Sequence, residues 1–499
     1  MAARFARCSA RWWARQGIQP GVFSAAGVAC GLGGSAKLLQ AETPATPAKP
    51  QLSACDLKAY HLGTWQEDSD GPVKERQFNK YQNPMAVAWP DMNFLNPDEM
   101  VQGHIIMNDS KRKSRASALD KGCVRGNACR DLYWDPNEVR AAIVTCGGLC
   151  PGLNSVIREV TNCLWHQYGV KKVLGMQAGY NGLSHPDLHP PMALTPDTVR
   201  EIHMKGGSIL KAGRGGCESV AAIVDQLETQ GINMLFTVGG DGTQAASHLI
   251  YEEARRRNFP ISIIGIPKSI DNDIVCFDKT FGFDSAVAAA SEVIRNGWVE
   301  ATSCDKGVGI VKLMGRDAGF VAMHAALAST IVDLCLIPEV DVKMEDVFKH
   351  VDEVLTRKHF CVIAVAEGAG QEHVATGKLD ATGHTVYGDI GVYLKDAINK
   401  HLKEKGGRSF YIDPSYIIRS CPIRPNDHIY CSRLARDAVH SAFRGYTGVC
   451  VGPIHNIIVM IPSTLIAGQK RRVPVRSSAW QTCVQTCNMP MSLSGHRKS

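Results

Sequence analysis

Through Ala41 the chain carries no acidic residue, while arginine, alanine, serine and the pair Trp12-Trp13 recur. That composition predicts an organelle leader over residues 1–50, with a plain basic tail as the alternative. Uninterrupted apolar runs of about 18 residues are also missing, so no membrane span is expected. The eighteen cysteines form no paired CxxC knuckle and follow no secretory signal, which predicts buried free thiols over a disulfide framework. Cys146 and Cys150 flank a glycine turn, and a redox pair is the other reading there. No repeat occurs at solenoid periods, which excludes an array. Finally, the body lacks a basic surplus. The formal charge of +7 is concentrated at the ends: Arg4, Arg7, Arg11, Arg15, Lys37 and Lys49 against Glu42, and Lys470, Arg471, Arg472, Arg476, Arg497 and Lys498 against nothing. What remains between them is mildly acidic, which is no footprint for nucleic acid, and the two basic ends read as separate features.

What is present is an ordinary globular composition, 44% hydrophobic and 21% charged, over 499 residues, enough for two or three cores. ETPATPAKPQ, from Glu42 to Gln51, reads as a flexible joint. Residues 51–137 are irregular and include the charge run KRKSRASALDKG; they are expected to form an extension packed on the body or partly disordered. From about Val139 the pattern alternates. AAIVTC, NMLFTV, ISIIGI, GVGIVKLM and CVIAVAEG read as strands. SVIREVTNCLWHQYG, SAVAAASEVIRNGW, AGFVAMHAALAS, VFKHVDEVLTRKHF and IGVYLKDAINKHLKEKG read as helices. The fold class is therefore α/β, with doubly wound parallel sheets and ligands gathered where strands end.

Four strand ends carry unusual chemistry. CGGLCPGLN, around Gly147, Gly148 and Gly152, makes a glycine bend before a helix, the geometry that cradles phosphate. GGDGT adds Asp241 between glycines. A carboxylate there repels phosphate unless a divalent cation intervenes, which suggests Mg²⁺; the alternative is an Asp N-cap on a tight turn. PKSIDND crowds Lys268, Asp271 and Asp273. One acid can take a proton, the other can help to hold metal, and the lysine can balance phosphate charge. MGRDAGF offers Gly315 for close approach and Arg316 for bidentate binding of an anion.

CGGLCPGLN, GGDGT, PKSIDND and MGRxxGF, in this order from about Tyr133 to Pro462, resemble the phosphofructokinase family, on its plant-type ATP-dependent branch. The resemblance implies two Rossmann-like αβα domains with the active site in the cleft between them. Residues 138–300 would bind ATP-Mg²⁺ and residues 301–490 the sugar phosphate. Gly148, Arg214, Gly215, Gly240, Asp241, Gly242 and Thr243 would hold ATP, with Asp241 on Mg²⁺. Asp271 would be the general base toward the 1-hydroxyl of fructose 6-phosphate, beside Ser269 and Ile270. Met314, Gly315, Arg316 and Glu367 would contact the sugar, and Tyr416, Ile417, Ile418 and Arg419 would close on its phosphate. Gly242 and Lys268 bear on donor choice. Pyrophosphate-using relatives carry Asp where Gly242 stands, so glycine argues for ATP, whereas Lys268 also occurs in pyrophosphate users.

Plainer readings stand beside these: Arg316 as a structural ion-pair partner, Glu367 as a solvated acid, Tyr416 as a packed core ring and His324 as a core or interface histidine. A pyrophosphate-dependent enzyme, a non-catalytic regulatory subunit and a kinase for NAD or a lipid are the rival functions. Ser269 stands where the family usually has Thr, and LKAGRGG departs from LGTSRGG by placing Lys211 and Ala212 in that loop. The resemblance further implies a homo-oligomer, tetramer or dimer. Its plant-type character points the leader to a plastid, with mitochondrion and cytoplasm as alternatives.

Overall fold

The computed structural model describes residues 57, 60–62, 81–89, 91–92, 94–95, 99–102, 122–374, 377 and 386–495. The expected leader, the Pro-rich joint and nearly all of the charge run lie outside them. The described strands are β1 (Tyr81–Gln82), β2 (Met100–Val101), β3 (Cys123–Arg125), β4 (Asp131–Leu132), β5 (Arg140–Thr145), β6 (Lys172–Met176), β7 (Met192–Ala193), β8 (Met234–Gly239), β9 (Ser262–Pro267), β10 (Gly307–Leu313), β11 (Leu334–Leu336), β12 (Phe360–Ala366), β13 (Arg408–Ile412), β14 (Val449–Ile454) and β15 (Ile457–Pro462).

They build two main sheets, β2-β3-β15-β14-β9-β8-β5-β6-β7 and β11-β12-β10-β13, besides the small β1–β4 pair. The centre of the first sheet, β6-β5-β8-β9-β14, is parallel, and its margins join antiparallel. The second sheet is parallel throughout. Central strands such as MLFTVG and SIIGIP are buried at every residue, because helices cover both faces of a wound sheet and leave no side for water. The intervening helices supply matching apolar stripes. Leu153–Asn162 buries Leu153, Val156, Ile157 and Val160, positions that fall on one face at 3.6 residues per turn. The α/β architecture expected from the alternation is the one observed.

Two features lie beyond that alternation. Strands β14 and β15 return to the first sheet, so the 301–490 segment contributes to both sheets. His455 and Asn456, with φ of 51° and 62°, make the two-residue turn between them, the conformation that matches strand twist in a hairpin. The described parts of the N-terminal extension pack on the body: Tyr60 stacks on Tyr251 at 5.5 Å, and β2 and β3 extend the first sheet. Every described cysteine is free, and Cys146 and Cys150 are both buried, so the thiols behave as small core residues.

Candidate active site

Parallel neighbours deliver their C-terminal ends to one edge. In the first sheet Thr145 lies beside Val238, and Gly239 beside Pro267, so the loops after β5, β8 and β9 emerge together. The Gly147 N–H donates to the Gly213 carbonyl at 2.9 Å, which draws the LKAGRGG loop, with Arg214 and Gly215 exposed, against the CGGLC loop. The Lys268 N–H donates to the Gly239 carbonyl at 2.9 Å, and its ammonium reaches toward Gly147, 3.5 Å from where a Cβ there would sit. Burial depresses the Lys268 pKa, and the nearby thiols, Asp271 and Asp273 work against that depression.

Gly240 is the N-cap of helix Asp241–Arg256, and Asp241 is its first residue, with no side-chain cap hydrogen bond. The Asp N-cap alternative is thereby corrected: the cap is glycine, and the carboxylate is left for another partner. A Cβ at Gly148 or Gly242 would meet nothing within 4 Å, so both border open space, Gly148 in the loop before helix Leu153–Asn162 and Gly242 in the first turn of helix Asp241–Arg256. Thr243 is buried behind them, and its carbonyl accepts from the Tyr180 hydroxyl at 2.9 Å. Bare N–H groups facing space at a helix N-terminus suit phosphate oxygens.

The second sheet contributes from the other side. Leu313 and Ala366 are register partners, so the Met314-Gly315-Arg316 and Glu367-Gly368 loops leave together. Met314 is buried and Arg316 is half-buried. Gly315 has a φ of 132°, and its carbonyl accepts from the Gly368 N–H at 2.9 Å. Gly368 in turn sits so close that a Cβ would lie 1.8 Å from the Arg316 carbonyl oxygen. The Arg316 guanidinium lies 5.0 Å from the centre of the Tyr387 ring, a cation–π contact that helps to hold it.

Asp271 joins the two halves. Its carboxylate, in the loop after β9, accepts from the Arg316 N–H of the loop after β10, while its Oδ1 is buried with no hydrogen-bond partner. Burial, then the charges of Asp273 and Glu367, push its pKa up to about 7. Glu367 is therefore no remote solvated acid, since its charge bears on the buried carboxyl. Asp273 accepts from the Ser269 hydroxyl; burial raises its pKa, and Asp241 raises it further. Asp273 thus links Asp241 and Asp271, since its carboxyl feels the charge of the first and acts on that of the second, with Ile270 buried alongside.

Helix Ser415–Ser420 is placed differently. It packs on helix Phe283–Thr302 with Ile418 buried, while Tyr416 is 81% and Ile417 64% exposed. Arg419 lies 5.7 Å from the Tyr416 ring centre. The core-packing alternative for Tyr416 is corrected, because its ring stands in solvent. His324 matches its plainer reading, with Nδ1 at 2.8 Å from the Phe320 carbonyl and its ring edge-on to Phe283.

One segment beside these loops escaped sequence reasoning. The C-terminal basic residues do not stand apart from the body. Lys470 pairs with Asp317, and the Arg471 N–H donates to the Asp273 carbonyl at 2.7 Å. Counting charge by position could not find this contact; the signal available was that QKRR comes soon after the apolar run IIVMIP, which forms the buried strand β15.

A family model described as Phosphofructokinase matches residues 140–442. Among curated proteins, ATP-dependent 6-phosphofructokinase 5, chloroplastic, of Arabidopsis thaliana is 43% identical over 80% of this chain and 76% of its own length. The ATP-dependent 6-phosphofructokinase of Borreliella burgdorferi is 40% identical over 80% of this chain and 92% of its own. Among solved structures, a pyrophosphate-dependent phosphofructokinase from Marinobacter aquaeolei superposes with a TM-score of 0.58 at 21% identity, covering 70% of this chain and 91% of that one. At that identity it speaks for the fold alone.

Proposed function

The chain belongs to the phosphofructokinase family, and from that premise we propose that it is an ATP-dependent 6-phosphofructokinase, forming fructose 1,6-bisphosphate and ADP. The observation that supports this reading is the buried, partnerless Oδ1 of Asp271, beside an Asp273 that also feels the charge of Asp241. A carboxyl left without a donor is free to accept a proton from a substrate hydroxyl.

In this mechanism Asp271 takes the proton of the sugar 1-hydroxyl as that oxygen bonds to the γ-phosphorus. The bond from phosphorus to the β,γ-bridging oxygen breaks, and ADP leaves with the electron pair. A loose phosphoryl transition state needs chiefly positioning and charge neutralisation. The amides of Gly240, Asp241 and Gly242 and the Lys268 ammonium provide these on the donor side. Met314, Gly315, Arg316 and Glu367 hold the acceptor.

Mg²⁺ fits the donor side. Asp241 is the half-buried first residue of a helix capped by Gly240, beside Gly242 and its open space, and its charge acts on Asp273. Among the described residues no group of three or more His, Cys, Asp or Glu is placed to hold a metal. Asp241 would therefore hold the ion together with phosphate oxygens and water, as Mg²⁺ prefers. When bound, the ion supplies neutralisation of phosphate charge.

The exposed Tyr416, with Arg419 beneath it, suits closure on the 6-phosphate across a contact between copies, which supports a homo-oligomer. The chloroplastic names of relatives at 43% and 39% identity support a plastid address.

Purified protein given fructose 6-phosphate and Mg²⁺, with ATP or pyrophosphate as donor, is expected to turn over ATP. Faster turnover of pyrophosphate, or no phosphorylation with either donor, would sink the reading. A second expectation concerns Gly368→Ala. Its methyl must push back the Arg316 carbonyl, and a shift of about 1 Å in a positioning loop costs up to about 10²-fold in catalysis. Sugar-phosphate KM should rise and the thermal midpoint should fall; unchanged values of both would refute the close packing.

A further inference from the structure

Asp241, Asp271, Asp273, Asp317 and Glu367 surround the space in which, on the kinase reading, two multiply charged anions must meet. The γ-phosphoryl group has to travel between Asp241, which marks the donor side, and Asp271, which marks the sugar hydroxyl. Lys470 is the cation whose charge is felt by both of these acids and by Asp273. It lies outside the matched residues 140–442, on a segment that neither the sequence reading nor the family match assigns.

Its neighbours fix that segment. The Arg471 N–H donates to the Asp273 carbonyl at 2.7 Å, and the Arg471 guanidinium donates to the carbonyls of Phe277 at 3.1 Å and Asp278 at 2.7 Å. The same guanidinium lies 4.9 Å from the Phe320 ring centre. The Val473 N–H donates to Glu339 Oε1 at 2.7 Å, and Glu339 also accepts from the Gly319 N–H. Residues 470–473 therefore tie the loop bearing Asp271 and Asp273 to the loop bearing Arg316 and Asp317. The Lys470 side chain is left partly in solvent, 34% exposed, on a four-carbon stem able to change partner.

We propose that Lys470 is a further active-site residue, whose ammonium rests on Asp317 in the free enzyme and engages the transferring phosphoryl oxygens when both substrates are bound. It gives and takes no atom. Burial opposes its charge, but the Asp317 hydrogen bond prevails and holds its pKa above the ordinary lysine value, so it stays protonated throughout. The proposal rests on the kinase reading, and its test separates the two.

Lys470→Met and Lys470→Arg are assayed on the full chain with ATP, Mg²⁺ and fructose 6-phosphate. Removing a preorganised charge from a transition state costs about 10²–10³-fold in kcat. Lys470→Met should lose that much, with sugar-phosphate KM within about threefold of wild type, as expected for an interaction made only in the transition state. Its thermal midpoint should hold, because a partly exposed ion pair contributes only about 0–1 kcal/mol. Lys470→Arg, which keeps the charge, should restore most of the rate. A Lys470→Met kcat within about threefold of wild type overturns the proposal. So does a loss of rate that tracks a lowered thermal midpoint and is not rescued by arginine. A wild-type protein that transfers no phosphate from ATP to fructose 6-phosphate overturns the kinase reading itself.

Discussion

Asp271→Asn is expected to lower kcat by about 10²–10⁴-fold, the usual contribution of a general base, with sugar-phosphate KM little changed. Asparagine keeps the shape and can still accept from the Arg316 N–H, so the link between the two loops survives while the proton acceptor is lost. Burial and the charges of Asp273 and Glu367 push this carboxyl to about 7, which adds two pH signatures. The base must be ionised to work, so wild-type kcat/KM should rise through about pH 7 and fall about tenfold for each unit below it. Stability runs in the opposite sense. Between the ordinary value of 3.8 and about 7 the unfolded chain ionises at this residue before the native protein does. Its contribution to stability is therefore lost as pH rises through that window, and remains lost above it. Asp271→Asn removes that penalty, so its thermal midpoint should equal or exceed the wild-type value at pH 8. A variant with full turnover, or one that loses activity only by melting, would refute the base assignment.

The parts of this site that are legible in the sequence are those set by local rules. Central parallel strands must be apolar on both faces, so MLFTVG and SIIGIP declare themselves as continuous runs, and whatever follows them lies at the ligand edge. Glycine and aspartate at those ends then need a reason that a bare turn does not supply. What is not legible depends on contacts between distant segments. Strand β14 pairs with β9 across almost two hundred residues, and nothing within VCVGPI specifies that neighbour. The hairpin it forms with β15 was within reach, because two apolar runs flank His455-Asn456. Lys470 looked like part of a basic tail because charge counting is blind to where the chain goes after β15. The core-packing alternative for Tyr416 could not be dismissed from sequence, because a helix of six residues is too short for periodicity to say which face is wet. The shift at Asp271 is not legible either, since it arises first from burial in the folded chain and then from the charges of Asp273 and Glu367, which follow different sheets.

Gly242→Asp tests donor choice with little risk to the fold, because the structure separates the two effects. Gly242 is the second residue of helix Asp241–Arg256, and a Cβ there meets nothing within 4 Å, so aspartate fits without moving a neighbour. An acid in the first turn also suits the positive end of the helix dipole, worth about 0.3–1 kcal/mol. The thermal midpoint should therefore hold or rise slightly. The donor is affected otherwise. A carboxylate added beside Asp241 would face ATP phosphate across the same open space. Two unit charges about 4 Å apart cost about 4 kcal/mol at an effective dielectric near 20, a penalty of several hundredfold or more in binding. ATP-driven kcat/KM should fall by about that factor, most of it in ATP KM, while fructose 6-phosphate still binds to loops that the substitution does not touch. Assaying the variant with ATP and with pyrophosphate side by side tells charge from collapse: a folded enzyme that has lost ATP use supports the electrostatic account, and one that keeps full ATP activity shows that the phosphate lies elsewhere than over Gly242.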